Sequence, residues 1–371
     1  MAIRKLIAAA AVMSIAAISP ARAAEYVYGA FVGPNHGVMV HAIPKYFASI
    51  KAATNGSVTW KLVAGGQLVD ARGSLAGLKN GLVDAAIIVP SFVPKNIPAL
   101  NLVYSQIVLG DDVVAAGGAA NEVVMLHCPE CIDDMKKNNA VFIAGYMTTP
   151  FKLICRDAVR TVADLKGKKV RIAAGGATLF KMADAVPVAM TPTEATTALQ
   201  RGALDCVWGS TSWLRSYGYQ DVAKFVTEYP MGMHGPVLHG MLNRDKWNKM
   251  TAAEKHAHLT FAPEFIARAT IEGYIQDDAD VAAKAKAAGI TFIKGGSDFG
   301  EWMKAYGKVD RETNLKNAAA LGVKNGTQIA DAYEAALEKW RKLSPGIGTD
   351  VEKYAAALKR EIYDKIDPGK M

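Results

Sequence analysis

The chain has 371 residues, 51% of them hydrophobic and 21% charged, with a formal net charge of +8. Its basic residues are spread along the chain with no run interleaved with aromatics, which argues against nucleic-acid binding. The length exceeds one ordinary core and calls for two domains.

The N-terminus comes first. Arg4-Lys5 make a basic start, Leu6 to Ile18 an apolar core and Ala21-Arg22-Ala23 a small-x-small site. That is a Sec signal peptide (residues 1–23), with cleavage expected after Ala23 and a periplasmic destination. Its apolar run is far short of the ~20 residues of a spanning helix. Cleavage removes Arg4, Lys5 and Arg22, taking the formal charge from +8 to +5.

The next stretch alternates short apolar strands with helices. Tyr26–Val32 reads as a strand, Val38–Ala53 as a helix stopped by Asn55-Gly56, and Val58–Val63 as a strand. Ser74–Asn80 is a helix, Val83–Val89 a strand, Asp112–His127 a helix and Ala140–Tyr146 a strand. A second series has strands Phe151–Arg156, Lys169–Ala173, Leu204–Trp208, Lys224–Tyr229 and Val237–Asn243. Thr191-Pro192-Thr193-Glu194 opens one of its helices and Gly202 closes it. The remainder is helical: Ala252–Ala288, Asp298–Leu321, Thr327–Leu343 and Asp350–Ile366, with one strand at Thr291–Ile293. This rhythm predicts an α/β lobe over 24–148, a second over 149–240, and a return over 241–371, with a long helix bracing both.

Cys128, Cys131, Cys155 and Cys206 permit two disulfides in an oxidising compartment. Cys128-Pro-Glu-Cys131 could instead be a redox dithiol or half of a zinc site, but irregular spacing and the missing thioredoxin-like context favour a structural bridge or unpaired thiols. The histidines do not gather with carboxylates at metal spacing, so no metal or other cofactor is expected.

Chemistry concentrates at Asp164-Leu-Lys-Gly-Lys-Lys-Val-Arg171, a helical turn broken at Gly167 and followed by a strand. A buried Arg keeps its charge and presents a planar fork that fits a carboxylate. Asp184 or Asp205 could be its partner, or a ligand could.

That segment resembles the "D-L-K-G-x-K-x-R" strand of the solute-binding proteins of tripartite ATP-independent periplasmic (TRAP) transporters, the dicarboxylate-binding-protein type. Other landmarks follow that family's order: Gly66-Gln67-Leu68, Leu75 through Ala85, Gly145-Tyr146 with Phe151-Lys152, Pro192 through Asp205, and His234-Gly235. The resemblance runs from about Phe31 to Trp340. It implies a two-lobed periplasmic-binding-protein fold, type II-like, with hinge strands, and no enzymatic activity. It also implies capture of an organic acid and delivery to TRAP membrane subunits. Arg171 would hold the carboxylate, Lys152 would assist by charge, and Pro192 and His234 match cleft positions. Gln67 and Asp70 sit on the loop that faces the cleft in this fold.

One departure bears on the ligand. Where many members show "G-x-E-N-P" after the Asp205 position, this chain reads Cys206-Val207-Trp208-Gly209-Ser210. A position often Asn in sugar-acid binders holds Ala173 or Ala174. An indole and small residues in place of polar groups point to a carboxylate with an apolar or aromatic body, enclosed by Trp208, Gly209, Trp213, Phe92 and Phe31. Trp208 and Trp213 could also simply pack in the second lobe. The rival functions are ligand presentation to a sensor kinase and a secreted hydrolase. Against the hydrolase, the chain has no Gly-x-Ser-x-Gly, His-Glu-x-x-His or Gly-rich phosphate loop. Thr327–Met371 leaves open a homodimer through the C-terminal helices.

Overall fold

A computed structural model describes residues 24–173 and 176–371; the expected signal peptide, its cleavage site and Ala174 lie outside the described residues. The strands, in chain order, are β1 (Ala24–Gly29), β2 (Val58–Val63), β3 (Ala85–Ile88), β4 (Ala140–Tyr146), β5 (Lys152–Cys155) and β6 (Lys169–Ile172). They continue with β7 (Val186–Ala189), β8 (Cys206–Gly209), β9 (Phe225–Thr227), β10 (Val237–Asn243) and β11 (Thr291–Ile293). They form two mixed sheets, ordered β2-β1-β3-β10-β4 and β11-β9-β5-β8-β6-β7. Each sheet has its own buried core, the first around Ile87, Phe142 and Phe265, the second around Phe151, Phe180 and Trp208. The α/β class and the two lobes agree with the sequence reading.

Differences arise where local chemistry breaks a long pattern. Residues 38–53 split at Ala42 into helices Gly37–His41 and Ile43–Ala53, because Pro44 has no N–H to continue the ladder and sits in the first turn of the second. Helices Pro98–Ser105 and Pro129–Lys137 and strand β7 were not expected; each begins at or contains a proline, which masks the periodicity. β10 starts at Val237 in the first sheet, and β11 pairs in parallel with β9 of the second, so 291–293 does not stay with the first lobe.

Two crossing segments join the lobes and lie side by side. Phe151 N donates to Gly232 O at 2.8 Å, Met231 N to Phe151 O at 2.8 Å, and Thr148 N to His234 O at 3.1 Å. The Gly235–Pro236 peptide beside them is cis. The expected helix over 252–288 is one rod in three pieces: Ala252–Thr270, a π turn Ile271–Gln276, and Asp277–Ala287. A capping box between Thr251 and Glu254 starts it. Phe265 and Ile266 pack in the first core, Val281 and Ala285 in the second, so the π turn lies where the rod passes from one lobe to the other.

All four cysteines are oxidised, as Cys128–Cys131 and Cys155–Cys206. The second joins directly opposed residues of β5 and β8 across a sequence separation of 51, a closure that stabilises by about 4 kcal/mol in the chain-entropy picture. Among the described residues no helix is long and apolar enough to cross a membrane.

Candidate ligand-binding site

The carboxyl ends of β1, β3, β4, β6 and β8 converge on the gap between the lobes, the usual place for a ligand in an α/β sheet. A narrow cleft lies there, lined by residues of both lobes. Phe31 after β1 and Phe92 in the 3₁₀ turn after β3 form its first-lobe side, with ring centroids 6.3 Å apart and edge to face. Arg171 from β6, Phe151 and Trp213 form the second-lobe side, and Tyr274 arrives on the π turn of the bracing helix.

Arg171 is 1% exposed, and no carboxylate lies within ion-pair distance of it among the described residues. Its Nε donates to Met190 O at 2.8 Å and Nη1 to Trp208 O at 3.4 Å, which uses two of its five N–H donors. Those two bonds fix the guanidinium plane and, among the described residues, leave the rest of the fork without a protein acceptor. Burial pushes its pKa down, opposed chiefly by Tyr219, Tyr104 and Tyr217. Lowering an arginine from its usual range still leaves a full positive charge at neutral pH. Asp184 and Asp205 do not pair with it; Asp205 accepts instead from Lys169 N at 2.7 Å.

Trp213 stands beside this charge, its ring centroid 5.3 Å from the guanidinium carbon, a cation–π distance. Two features put it there. At Gly209 a Cβ would sit 2.2 Å from Trp213 Cε3, so only glycine lets the indole lie against β8. Asp278, buried on the bracing helix, accepts from Ser212 N at 2.7 Å and from Thr149 Oγ1 at 2.6 Å, tying the turn before Trp213 to the interlobe crossing. Burial pushes the Asp278 carboxyl up, against the bonds from Thr149 and Ser212.

The other polar groups are hydroxyls. Tyr104, Tyr146, Tyr217, Tyr274 and Thr148 all line the cleft. Tyr274 Oη lies 3.3 Å from His36 Nε2 and 3.5 Å from Tyr146 Oη. Burial, then the charge of Arg215, pushes His36 down to about 3, so it is neutral. Tyr104 is pushed up to about 12 by burial, against the pull of Arg171. The cleft therefore offers one cation, neutral hydroxyls and aromatic faces, a setting for one carboxylate on a flat apolar body.

Of the residues expected here, Arg171, Phe31, Phe92, Trp213 and Pro192 line the cleft. Pro192 is the first residue of helix Pro192–Gln200, and its carbonyl accepts from Tyr219 Oη at 2.6 Å. The others lie elsewhere. Lys152 points to the opposite side of β5 from Phe151 and borders a separate, solvent-open groove with Asp278. Trp208 packs behind the cleft against Phe151, Phe180 and His234 in the second core. Gly209 acts from beneath Trp213. His234 belongs to the interlobe crossing, fully buried and pushed down to about 4 by burial, with Nδ1 3.4 Å from Tyr104 O. Gln67 is exposed on its loop, and Asp70 accepts from Arg72 N and Gly73 N at 3.0 and 2.6 Å, a local turn bond. Sequence reasoning missed the tyrosines and Phe151. Tyr146 and Phe151 sat inside quoted landmarks, but nothing marked Tyr104, Tyr217 or Tyr274 before the fold brought them together.

Direct ties close the lobes over this space. Arg72 Nη1 of the first lobe meets Glu194 Oε1 of the second at 2.7 Å. Arg215 of the second reaches Asn35 O at 3.1 Å and Asp277 at 2.8 Å.

Residues 29–312 match the family model of the bacterial extracellular solute-binding proteins, family 7 (DctP). The chain belongs to that family. Its members and structural neighbours are solute-binding receptors rather than enzymes. A curated solute-binding protein of Albidiferax ferrireducens is 22% identical over 256 residues, 68% of this chain and 73% of its own length. Among solved structures, a TRAP solute-binding protein from Rhodoferax ferrireducens in complex with copurified benzoate superposes with a TM-score of 0.74 at 17% identity. That match covers 86% of this chain and 99% of the other. A marine metagenome TRAP solute-binding protein specific for aromatic acid ligands, in complex with metahydroxyphenylacetate, gives 0.73 at 19% identity over 85% and 99%. A Bordetella bronchiseptica TRAP protein with bound (R)- and (S)-mandelate gives 0.71 at 19% identity over 85% and 99%. At these identities the likeness is one of fold.

Proposed function

We propose that this protein is an exported receptor that captures an organic acid with an apolar, aromatic body and delivers it to TRAP membrane subunits. The observation that carries the reading is Arg171: a buried guanidinium, held by two carbonyls, unpaired by any acid among the described residues and facing an aromatic cleft. A ligand carboxylate supplies the missing anion, with charge-assisted bonds of ~1.5–3 kcal/mol each. Phe31 and Phe92 from one lobe and Trp213 and Phe151 from the other enclose the body. A ligand touching both lobes favours the closed arrangement by its differential affinity for it, and closure presents the protein to the membrane subunits. The lobes divide at the paired crossings near 150 and 234. The basic and apolar start of the chain, ending at Ala23, directs export.

Isothermal titration of benzoate, phenylacetate, branched aliphatic acids and sugar acids against the protein and its Arg171→Ala variant tests this. Aromatic acids are expected to bind best, and the variant to lose at least a hundredfold in affinity for them. Equal affinity in the variant would remove Arg171 as the clamp, and preference for sugar acids would remove the aromatic body.

A further inference from the structure

We propose that Tyr146 donates its hydroxyl proton to the bound acid, so that the cleft selects acids carrying an oxygen acceptor on their apolar body over the plain hydrocarbon acid. This rests on the carboxylate-binding function above and adds a second point of recognition away from Arg171.

Three side chains, His36, Tyr274 and Tyr146, fix where the protons lie. Val38 N–H donates to His36 Nδ1 at 3.3 Å, so that nitrogen bears a lone pair. The ring is neutral, hence its one proton is on Nε2. Nε2–H faces Tyr274 Oη at 3.3 Å and donates to it. Tyr274 then spends its own proton on Tyr146 Oη, 3.5 Å away. The relay has three protons and two gaps to bridge. The proton left over is that of Tyr146: among the described residues its hydroxyl accepts from Tyr274 and has no protein acceptor of its own. Tyr146 is 3% exposed and lines the cleft. Burial and its tyrosine neighbours keep it protonated well above neutral pH.

A buried donor without an acceptor is costly, and a ligand oxygen placed there removes the cost. A hydrocarbon body leaves the proton unpaired. The matching group is a hydroxyl, keto, ether or lactam oxygen. A second carboxylate is disfavoured, because the relay supplies one neutral donor and no counter-charge. His36 and Tyr274 act as positioning residues that set the direction of the relay, and Tyr146 makes the contact.

The test compares 3-hydroxybenzoate, 4-hydroxybenzoate and mandelate with benzoate and phenylacetate by titration calorimetry, using the protein and its Tyr146→Phe and Tyr274→Phe variants. At least one oxygenated acid is expected to bind roughly 2–12-fold more tightly than its parent, the value of one net hydrogen bond. Tyr146→Phe should bring that acid to the level of its parent measured in the same variant, with thermal unfolding and far-UV circular dichroism certifying the fold of the variant. Tyr274→Phe should retain the preference. No preference in the parent protein, a preference surviving Tyr146→Phe, or a preference lost only with Tyr274→Phe overturns the assignment while the carboxylate-binding reading stands. Failure of every acid to bind overturns both.

Discussion

Gly209→Ala is the substitution whose outcome separates packing from backbone effects in this cleft. The Gly209 backbone is outside the left-handed region, so alanine is conformationally allowed there and would gain ~0.4–1 kcal/mol by restricting the unfolded chain. Against this, the new Cβ would lie 2.2 and 2.5 Å from Trp213 Cε3 and Cζ3. The indole cannot give way freely: its ring contacts Phe151 at 5.1 Å and Tyr217 at 5.4 Å between centroids, and Arg171 lies 5.3 Å from it. Overpacking of this kind costs ~1–3 kcal/mol. The clash wins, with a net loss of about 1–2 kcal/mol in urea unfolding. A displaced Trp213 also loses its face on the ligand, so aromatic acids should bind roughly 2–12-fold more weakly, the worth of one aromatic contact. In a Trp213→Ala background the clash is absent, and Gly209→Ala should become neutral or mildly stabilising. The same penalty in both backgrounds would refute the account, as would a single variant that unfolds and binds like the parent.

The cross-lobe pair of Arg72 and Glu194 joins side chains 53% and 48% exposed, so Arg72→Ala should weaken ligand binding by no more than about fivefold, with the difference vanishing near 1 M salt. The Glu194 carboxyl is held down at about 2, first by its bond from Arg72, so the tie is complete above the ordinary value of 4.5 and lost as pH falls toward 2; a salt-insensitive loss would argue against it. For His36 and His234, pushed down to about 3 and about 4 by burial, long-range ¹H–¹⁵N spectra should show no titration between pH 8 and about 5, with His36 protonated on Nε2. Each neutral ring contributes stability that is complete above 6.5 and lost as pH falls toward its folded value, since the unfolded chain takes its proton first. A midpoint near 6.5 for His36 would undo both that statement and the relay to Tyr146.

The strands were legible because their apolar runs are short, bounded by turn residues and fully buried, as in β4 and β10. Proline hid helix Pro129–Lys137 and the break at Ala42, since it stands at helix starts as readily as in loops. Within the site, Arg171 could be found because a guanidinium on a buried strand requires an anion. Trp208 and Trp213 could not be told apart by type: alternation along β8 turns one into the second core, while Asp278 and Gly209 direct the other to the cleft. Lys152 was misplaced by a single residue of strand phase, which moves a side chain to the other face. The tyrosines come from helices and strand ends far apart in the chain, and only the closed lobes bring them together.

The π turn at Ile271–Gln276 makes the spacing of the bracing helix a matter of single residues. An i→i+5 turn takes up one residue more than the surrounding α-helix, so Asp277 and Asp278 lie about 100° around the rod from where an unbroken helix would put them. Deleting one residue there would leave a regular, equally long helix with its first-lobe contacts intact. It would also leave both aspartates facing Arg215, Thr149 and Ser212, because the residues after the turn keep their phase when the extra residue goes. Rewinding the turn into regular α-helix at unchanged length, rather than shortening it, would therefore uncouple one lobe from the other without unfolding either.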